Sequence, residues 1–158
     1  MNLQIINFGD NKNQINKNSF CIKNDGNNIA PIITWNEIPH SKSYALIMED
    51  PYSIHGNTIH WFLPSIYKNT VINGLNSYNK YGYFGPCPPI NTGKHKYIFT
   101  LYSLDTILNF DLTKKIKSSK YFEKILKKNK VVILNKNIKF FYYNTNNTNN
   151  TIMNIKKE

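Results

Sequence analysis

From Phe20 onward the chain breaks into short apolar clusters separated by Pro, Gly and Asn, and before that point it does not. Residues 7–18 are rich in Asn and Lys with scattered apolar positions, and read as a polar segment leading into the domain. Ile32-Ile33-Thr34-Trp35, Tyr44-Ala45-Leu46-Ile47-Met48, Ile59-His60-Trp61-Phe62-Leu63 and residues 97–102 are β-branched or aromatic and short, which predicts strands. Residues 131–134 and 138–143 predict further strands, with Asn135-Lys136-Asn137 as a turn or bulge between them. Helical spacing occurs late, over residues 119–128, where Phe122, Ile125 and Leu126 recur at i, i+3 and i+4 and Ser118 or Ser119 can cap the start. Residues 64–95 carry Gly74, Gly82, Gly85, Pro86, Pro88, Pro89 and Gly93 with little regular pattern, and so long a loop in a compact domain is usually functional.

Strands without βαβ alternation predict an all-β, antiparallel sandwich with a short helix in the last third. No internal repeat is evident. The 158 residues suffice for one domain, placed at residues 1–143, and the Asn/Thr/Lys-rich residues 144–158 lack apolar periodicity and read as a disordered tail.

Composition changes this picture in two ways. There are 20 Lys and no Arg against 9 acidic residues, a net charge of +11, which suggests attraction to an acidic surface or an anionic membrane. The same absence of Arg, with no nucleic-acid fold motif, argues against specific nucleic-acid recognition. The eight lysines at 114, 115, 117, 120, 124, 127, 128 and 130 are most simply a solvated face. No apolar run reaches the roughly 18 residues of a membrane span, and the N-terminus lacks signal-peptide order. Cys21 and Cys87 lie far apart in sequence, which predicts reduced thiols and a cytoplasmic setting, with neither a disulfide framework nor a zinc site.

The candidate chemistry falls in two clusters. Asp50-Pro51 ends one predicted strand and His60-Trp61 lies in the next, with Gly56-Asn57 making a turn that brings them together. Gly85-Pro86-Cys87-Pro88-Pro89 is a stiff loop followed by His95-Lys96-Tyr97. Two imidazoles, a phenol and glycine amides suit an anion, whereas a carboxylate repels one unless it pairs with a histidine or an ammonium. Cys87 lacks a helix N-terminus to activate it and reads as packing rather than a nucleophile. His40 and His55 lie in polar loops and read as uninvolved.

These segments, with Asp25-Gly26-Asn27, Gly82-Tyr83 and residues 99–105, resemble the phosphatidylethanolamine-binding protein family, which includes the Raf kinase inhibitor protein. The Gly-Pro-Cys-Pro-Pro form is similar to that of its bacterial and archaeal branch, and the resemblance runs from about Phe20 to Tyr143. It implies a β-sandwich with a small pocket for phosphate, phosphorylethanolamine or a similar anion, lined by Asp50, His60, Gly85, Pro86, His95 and Tyr97. It also implies a protein partner such as a kinase, and homodimers as in bacterial-type relatives. Three departures stand out. Tyr52-Ser53-Ile54 replaces the family's usual Asp-Ala-Pro after Asp-Pro, Lys96 replaces an Arg, and Asn129-Lys130 replaces Gly-His. No cofactor or metal is expected, and no nucleophile elbow, Walker loop or metal-spaced ligand set favours an enzyme. A hydrolase with Asp50 and His60 as general base and His95 as anion stabiliser is the alternative.

Overall fold

The computed structural model describes residues 2–9, 14–67, 70–71 and 82–147. Seven strands form two antiparallel sheets: β1 (Gln4–Ile6) with β2 (Ile32–Thr34), and a five-stranded sheet in the order β5-β4-β3-β6-β7. The latter comprises β3 (Ser43–Asp50), β4 (Thr58–Tyr67), β5 (Thr70–Val71), β6 (Lys94–Leu104) and β7 (Ile133–Asn144). Helix α1 spans Ser119–Lys128, where the sequence predicts it, and Ser118 caps it by accepting from the Tyr121 amide.

The large sheet is covered on both faces, which is why its central strand β3 reads as an unbroken apolar run rather than an alternation. Leu46 and Met48 face a core shared with Trp61, Leu63, Tyr97, Phe99 and Leu101, closed by Phe8, Phe20, Ile33 and their neighbours from the small sheet and N-terminal segment. Ala45 and Ile47 face the opposite way, against Phe62, Tyr102, Leu104 and the buried face of α1, Phe122 and Leu126. The eight lysines around α1 are all exposed. Glu49 ties sheet to helix. Its buried carboxylate accepts from Asn57 Nδ2 (2.7 Å), from the Ser119 amide at the helix start (3.0 Å) and from Ser119 Oγ.

Several expectations change. The N-terminal segment does more than lead in: Leu3 and Phe8 are fully buried and β1 builds the small sheet. The last two predicted strands are one, because Asn135, Lys136 and Asn137 pair with Ser103, Tyr102 and Leu101 of β6, and the irregularity falls beside them where Leu104 pairs with Ile133. Three consecutive turn-formers were overridden by an available neighbouring strand. β7 also runs past Tyr143 to Asn144, and buried Thr145 closes a short 3-10 turn whose hydroxyl accepts from the Gly93 amide (2.8 Å). The rest of the predicted tail, residues 148–158, lies outside the described residues. So does much of the expected long loop, including Gly74. That loop begins later than predicted, since β4 continues through Pro64 to Tyr67 with a register shift between Leu46 and Tyr44 of its partner that accommodates the proline.

The cysteines require a correction. Cys21 and Cys87 form a disulfide, their Cα atoms 5.3 Å apart despite a sequence separation of 66. Separation along the chain says nothing about distance once the turn after Phe20 packs on the proline loop. The argument from free thiols to a reducing, cytoplasmic setting is thereby withdrawn. Among the described residues no helix is long and apolar enough to cross a membrane.

Candidate functional site

Strand parity assembles the site. Met48 of β3 and Phe99 of β6 are direct partners and both enter the first core, so two residues further along each strand Asp50 and Tyr97 emerge on that same face, followed by His95. His60 arrives by a different device. Glu49 pairs with Ile59 and Met48 with Trp61, which leaves His60 as the extra residue of a β-bulge. Bulges re-aim a side chain, and here Ile59 packs on the helix side, Trp61 on the other, and the imidazole between them turns to the cavity.

The cavity occupies about 880 Å³. Asp50, His60, His95 and Tyr97 form its sheet-side wall, Ser53, Ile54 and His55 come from the β3–β4 turn, and Cys21 to Asn24, Asn28 and Tyr83, Phe84, Cys87, Pro88 and Pro89 close it opposite. Four of the six residues implied by the resemblance are therefore brought together. Gly85 and Pro86 are not on this wall. Their backbone is committed to the facing segment: the Gly85 amide donates to Asn28 Oδ1 (2.7 Å), and the Pro86 carbonyl accepts from the Cys21 amide (2.9 Å). A Cβ on Gly85 would collide with the backbone of Ser19, Phe20 and Cys21, so glycine is required there for close packing rather than for ligand approach. His55, read from sequence as uninvolved, does line the cavity, as do Lys23, Asn24 and Asn28. The sequence signal for these was only that polar residues flank the two matched clusters.

Asp50 answers the problem its charge poses. Its Oδ2 lies 2.7 Å from His95 Nδ1 with both side chains buried, while Oδ1 accepts from the Tyr52 amide (2.9 Å). On the far side of the ring, His95 Nε2 meets Thr92 Oγ1 at 2.8 Å, and that hydroxyl also meets the Pro89 carbonyl at 2.7 Å. A carbonyl can only accept, so the single Thr92 proton goes to Pro89 and Nε2 must donate to the oxygen. With Nε2 donating, the short Nδ1–Oδ2 contact holds one proton between ring and carboxylate, so Asp50 is engaged by His95. The Asp-His-hydroxyl chain is thus oriented for holding the ring and not for activating Thr92, which is absent from the cavity wall.

His60 is different. Its Nδ1 donates to the Phe84 carbonyl (2.8 Å), and its ring stacks on Phe84 at 5.7 Å and meets Tyr97 edge-on at 5.3 Å. Burial pushes its pKa below the usual value, further lowered by His95 and only partly offset by the Phe84 carbonyl, the Asp50 charge and the Gly85 backbone. The neutral ring leaves Nε2 as an acceptor until a negative ligand favours its protonation. Across the cavity, Tyr83 donates to the Ser19 carbonyl (2.7 Å), and burial raises its pKa beyond the ordinary range. Among the described residues no group of three or more His, Cys, Asp and Glu is placed to hold a metal ion.

Fold and site together define a two-sheet protein with a cavity beside its large sheet, its wall carrying Asp50, His60, His95 and Tyr97. The phosphatidylethanolamine-binding protein family model matches residues 7–137, and the chain belongs to that family. A UPF0098 protein of Methanothermobacter thermautotrophicus is 34% identical over 128 residues, covering 70% of this chain and 81% of that protein. LppC of Mycobacterium tuberculosis is 37% identical over 94 residues, and the chain spans only about half of its length, 52% of this chain against 47% of LppC. Two solved structures share the fold. YbcL of E. coli superposes with a TM-score of 0.67 at 21% identity, and a phosphatidylethanolamine-binding protein homologue of Chlamydia trachomatis with 0.65 at 24%, each covering 89% of this chain and 96% of its own.

Proposed function

We propose that this protein is a small-ligand-binding module whose cavity takes an anionic head group, phosphate or phosphorylethanolamine, and that it works by binding rather than by catalysis. The observation that carries the reading is the joint placement of buried His60 and the His95–Asp50 pair on one cavity wall. With Asp50 neutralised by His95, the carboxylate no longer repels an anion, and His60 can gain a proton when one enters. The family's name supports the ligand class. The hydrolase alternative would have to rely on His60 Nε2 as its base, since Asp50 is engaged by His95 and His60 Nδ1 is turned to Phe84. Under this reading a regulated protein partner such as a kinase would contact the surface at the cavity mouth, where occupancy is sensed.

Calorimetric titration of phosphorylethanolamine at pH 6 and pH 8, corrected for buffer and ligand ionisation, tests it. Wild type should bind more tightly at pH 6, and the His60→Gln, His95→Gln double variant should bind more weakly and lose most of that dependence. Equal affinities for a folded double variant and wild type at both values refute the reading.

A further inference from the structure

The cavity needs a positive charge that its histidines do not supply. The His95 ring is engaged by Asp50, and burial disfavours the charged form of His60, whose Nδ1 is turned to the Phe84 carbonyl. The remaining basic residues on the wall are His55, exposed on the β3–β4 turn, and Lys23. Lys23 takes part in neither of the two ion pairs found among the described residues.

Lys23 is exposed, but the backbone that carries it is anchored. Lys23 is the middle residue of the 3-10 turn Ile22–Asn24, and both ends of that turn are fixed to the proline loop. On one side Cys21 is joined to Cys87 by the disulfide, and its amide donates to the Pro86 carbonyl at 2.9 Å. On the other, Asn24 Nδ2 donates to the Pro88 carbonyl at 2.9 Å. Asp25 closes the turn in the left-handed region at φ 54°, its amide donating to the Ile22 carbonyl (3.1 Å). A short, doubly anchored turn therefore fixes the backbone of one lysine at the edge of the cavity, on the segment facing the sheet-side wall.

We propose that Lys23 is a specificity-determining residue, the fixed cation that makes the cavity prefer a dianionic phosphate group over a singly charged carboxylate. This rests on the anion-pocket reading above. The phosphate enters with its oxygens toward His60, and the outward-facing oxygens meet the Lys23 ammonium, where charge-assisted bonds are stronger than neutral ones. A carboxylate small enough to reach His60 has no second charge to present there. Free phosphate and a phosphate monoester such as phosphorylethanolamine share this chemistry, whereas the diester phosphate of an intact lipid carries one charge only.

The test is calorimetry at pH 7.5 with inorganic phosphate and acetate on wild type, Lys23→Gln, Lys23→Arg and, as a control of equal charge change on α1, Lys120→Gln. Lys23→Gln should weaken phosphate binding about tenfold and acetate binding about threefold or less, while Lys23→Arg stays near wild type and Lys120→Gln matches it. Repeating the titration with glycerol-linked phosphorylethanolamine, a singly charged diester, distinguishes a lipid-type head group from free phosphate, and Lys23→Gln should affect it as little as it affects acetate. Wild-type phosphate binding that Lys23→Gln leaves intact overturns the proposal while the pocket reading stands. Equal weakening by Lys120→Gln overturns it too, as an effect of overall charge. Failure of folded wild type to bind phosphate or acetate removes the pocket reading and this proposal with it.

Discussion

The Asp50 carboxylate and the His95 ring, on adjacent strands, form a buried ion pair at 2.7 Å. Hydrogen-bond directions at Thr92 and Pro89 place a proton on Nε2, and a second proton lies between Nδ1 and Oδ2. Asp50→Asn keeps an acceptor for Nδ1 and for the Tyr52 amide but removes the compensating charge. Breaking such a pair typically costs about 3 kcal/mol or more, and urea unfolding should show a loss of that order. A loss under about 1 kcal/mol would mean that the pair is not charged.

His60 sets a pH dependence whose sign follows from burial. Its pKa lies below the ordinary imidazole value of 6.5, so on acidification the unfolded chain takes up a proton before the folded one does. The stability it contributes is present above about pH 6.5 and is lost as pH falls toward the lowered folded value. The difference in unfolding free energy between wild type and His60→Gln, measured from pH 8 to pH 5, should therefore shrink on acidification. A difference that stays flat contradicts the assignment of a neutral, buried ring.

The disulfide closes a long stretch of chain, from Cys21 to Cys87. A loop of this size corresponds to about 4 kcal/mol of stabilisation by the loop-entropy account. Cys21→Ser with Cys87→Ser should lower stability by about 2–5 kcal/mol, and unreduced wild type should give no free thiol on denaturation in the presence of a thiol reagent. Two free thiols per chain would show that the bond is not formed.

Glu49 faces away from the cavity and holds the helix. Glu49→Ala strips acceptors from Asn57 and from the Ser119 amide and hydroxyl at once. Leaving these groups unsatisfied should cost about 2–4 kcal/mol, with far-UV circular dichroism retaining the strands. Ser118→Ala, which removes only the cap on the Tyr121 amide, should cost about 1 kcal/mol. Similar costs for the two would mean that the carboxylate adds nothing beyond an ordinary cap.

The longer strands and α1 were legible because period and punctuation report local burial, whereas β1 and the unity of β7 were not, and Asp50, His95 and Tyr97 were named from their motifs. His60 was legible as a candidate but not as a bulge, since an extra residue is defined only against its partner strand. The disulfide, and with it Lys23, was out of reach: contacts across a separation of 66 residues depend on tertiary packing. Gly85 shows the opposite error. A glycine beside prolines suggests ligand approach, yet its freedom is used to let Phe20 and Cys21 lie against it.

One consequence of the disulfide concerns how the cavity can change shape. Two of its walls, the turn at 22–24 and the proline loop, are stitched into a single covalent unit and cannot part like jaws. The sheet-side wall belongs to the rigid core. Among the described residues of the wall, the hairpin tip at Ser53, Ile54 and His55 is tied into neither the disulfide nor the sheet, and is held by local bonds such as Gly56 N to the Ser53 carbonyl (3.0 Å). A shape change of the cavity therefore costs least at this tip, where Tyr52-Ser53-Ile54 departs from the family's stiffer Asp-Ala-Pro.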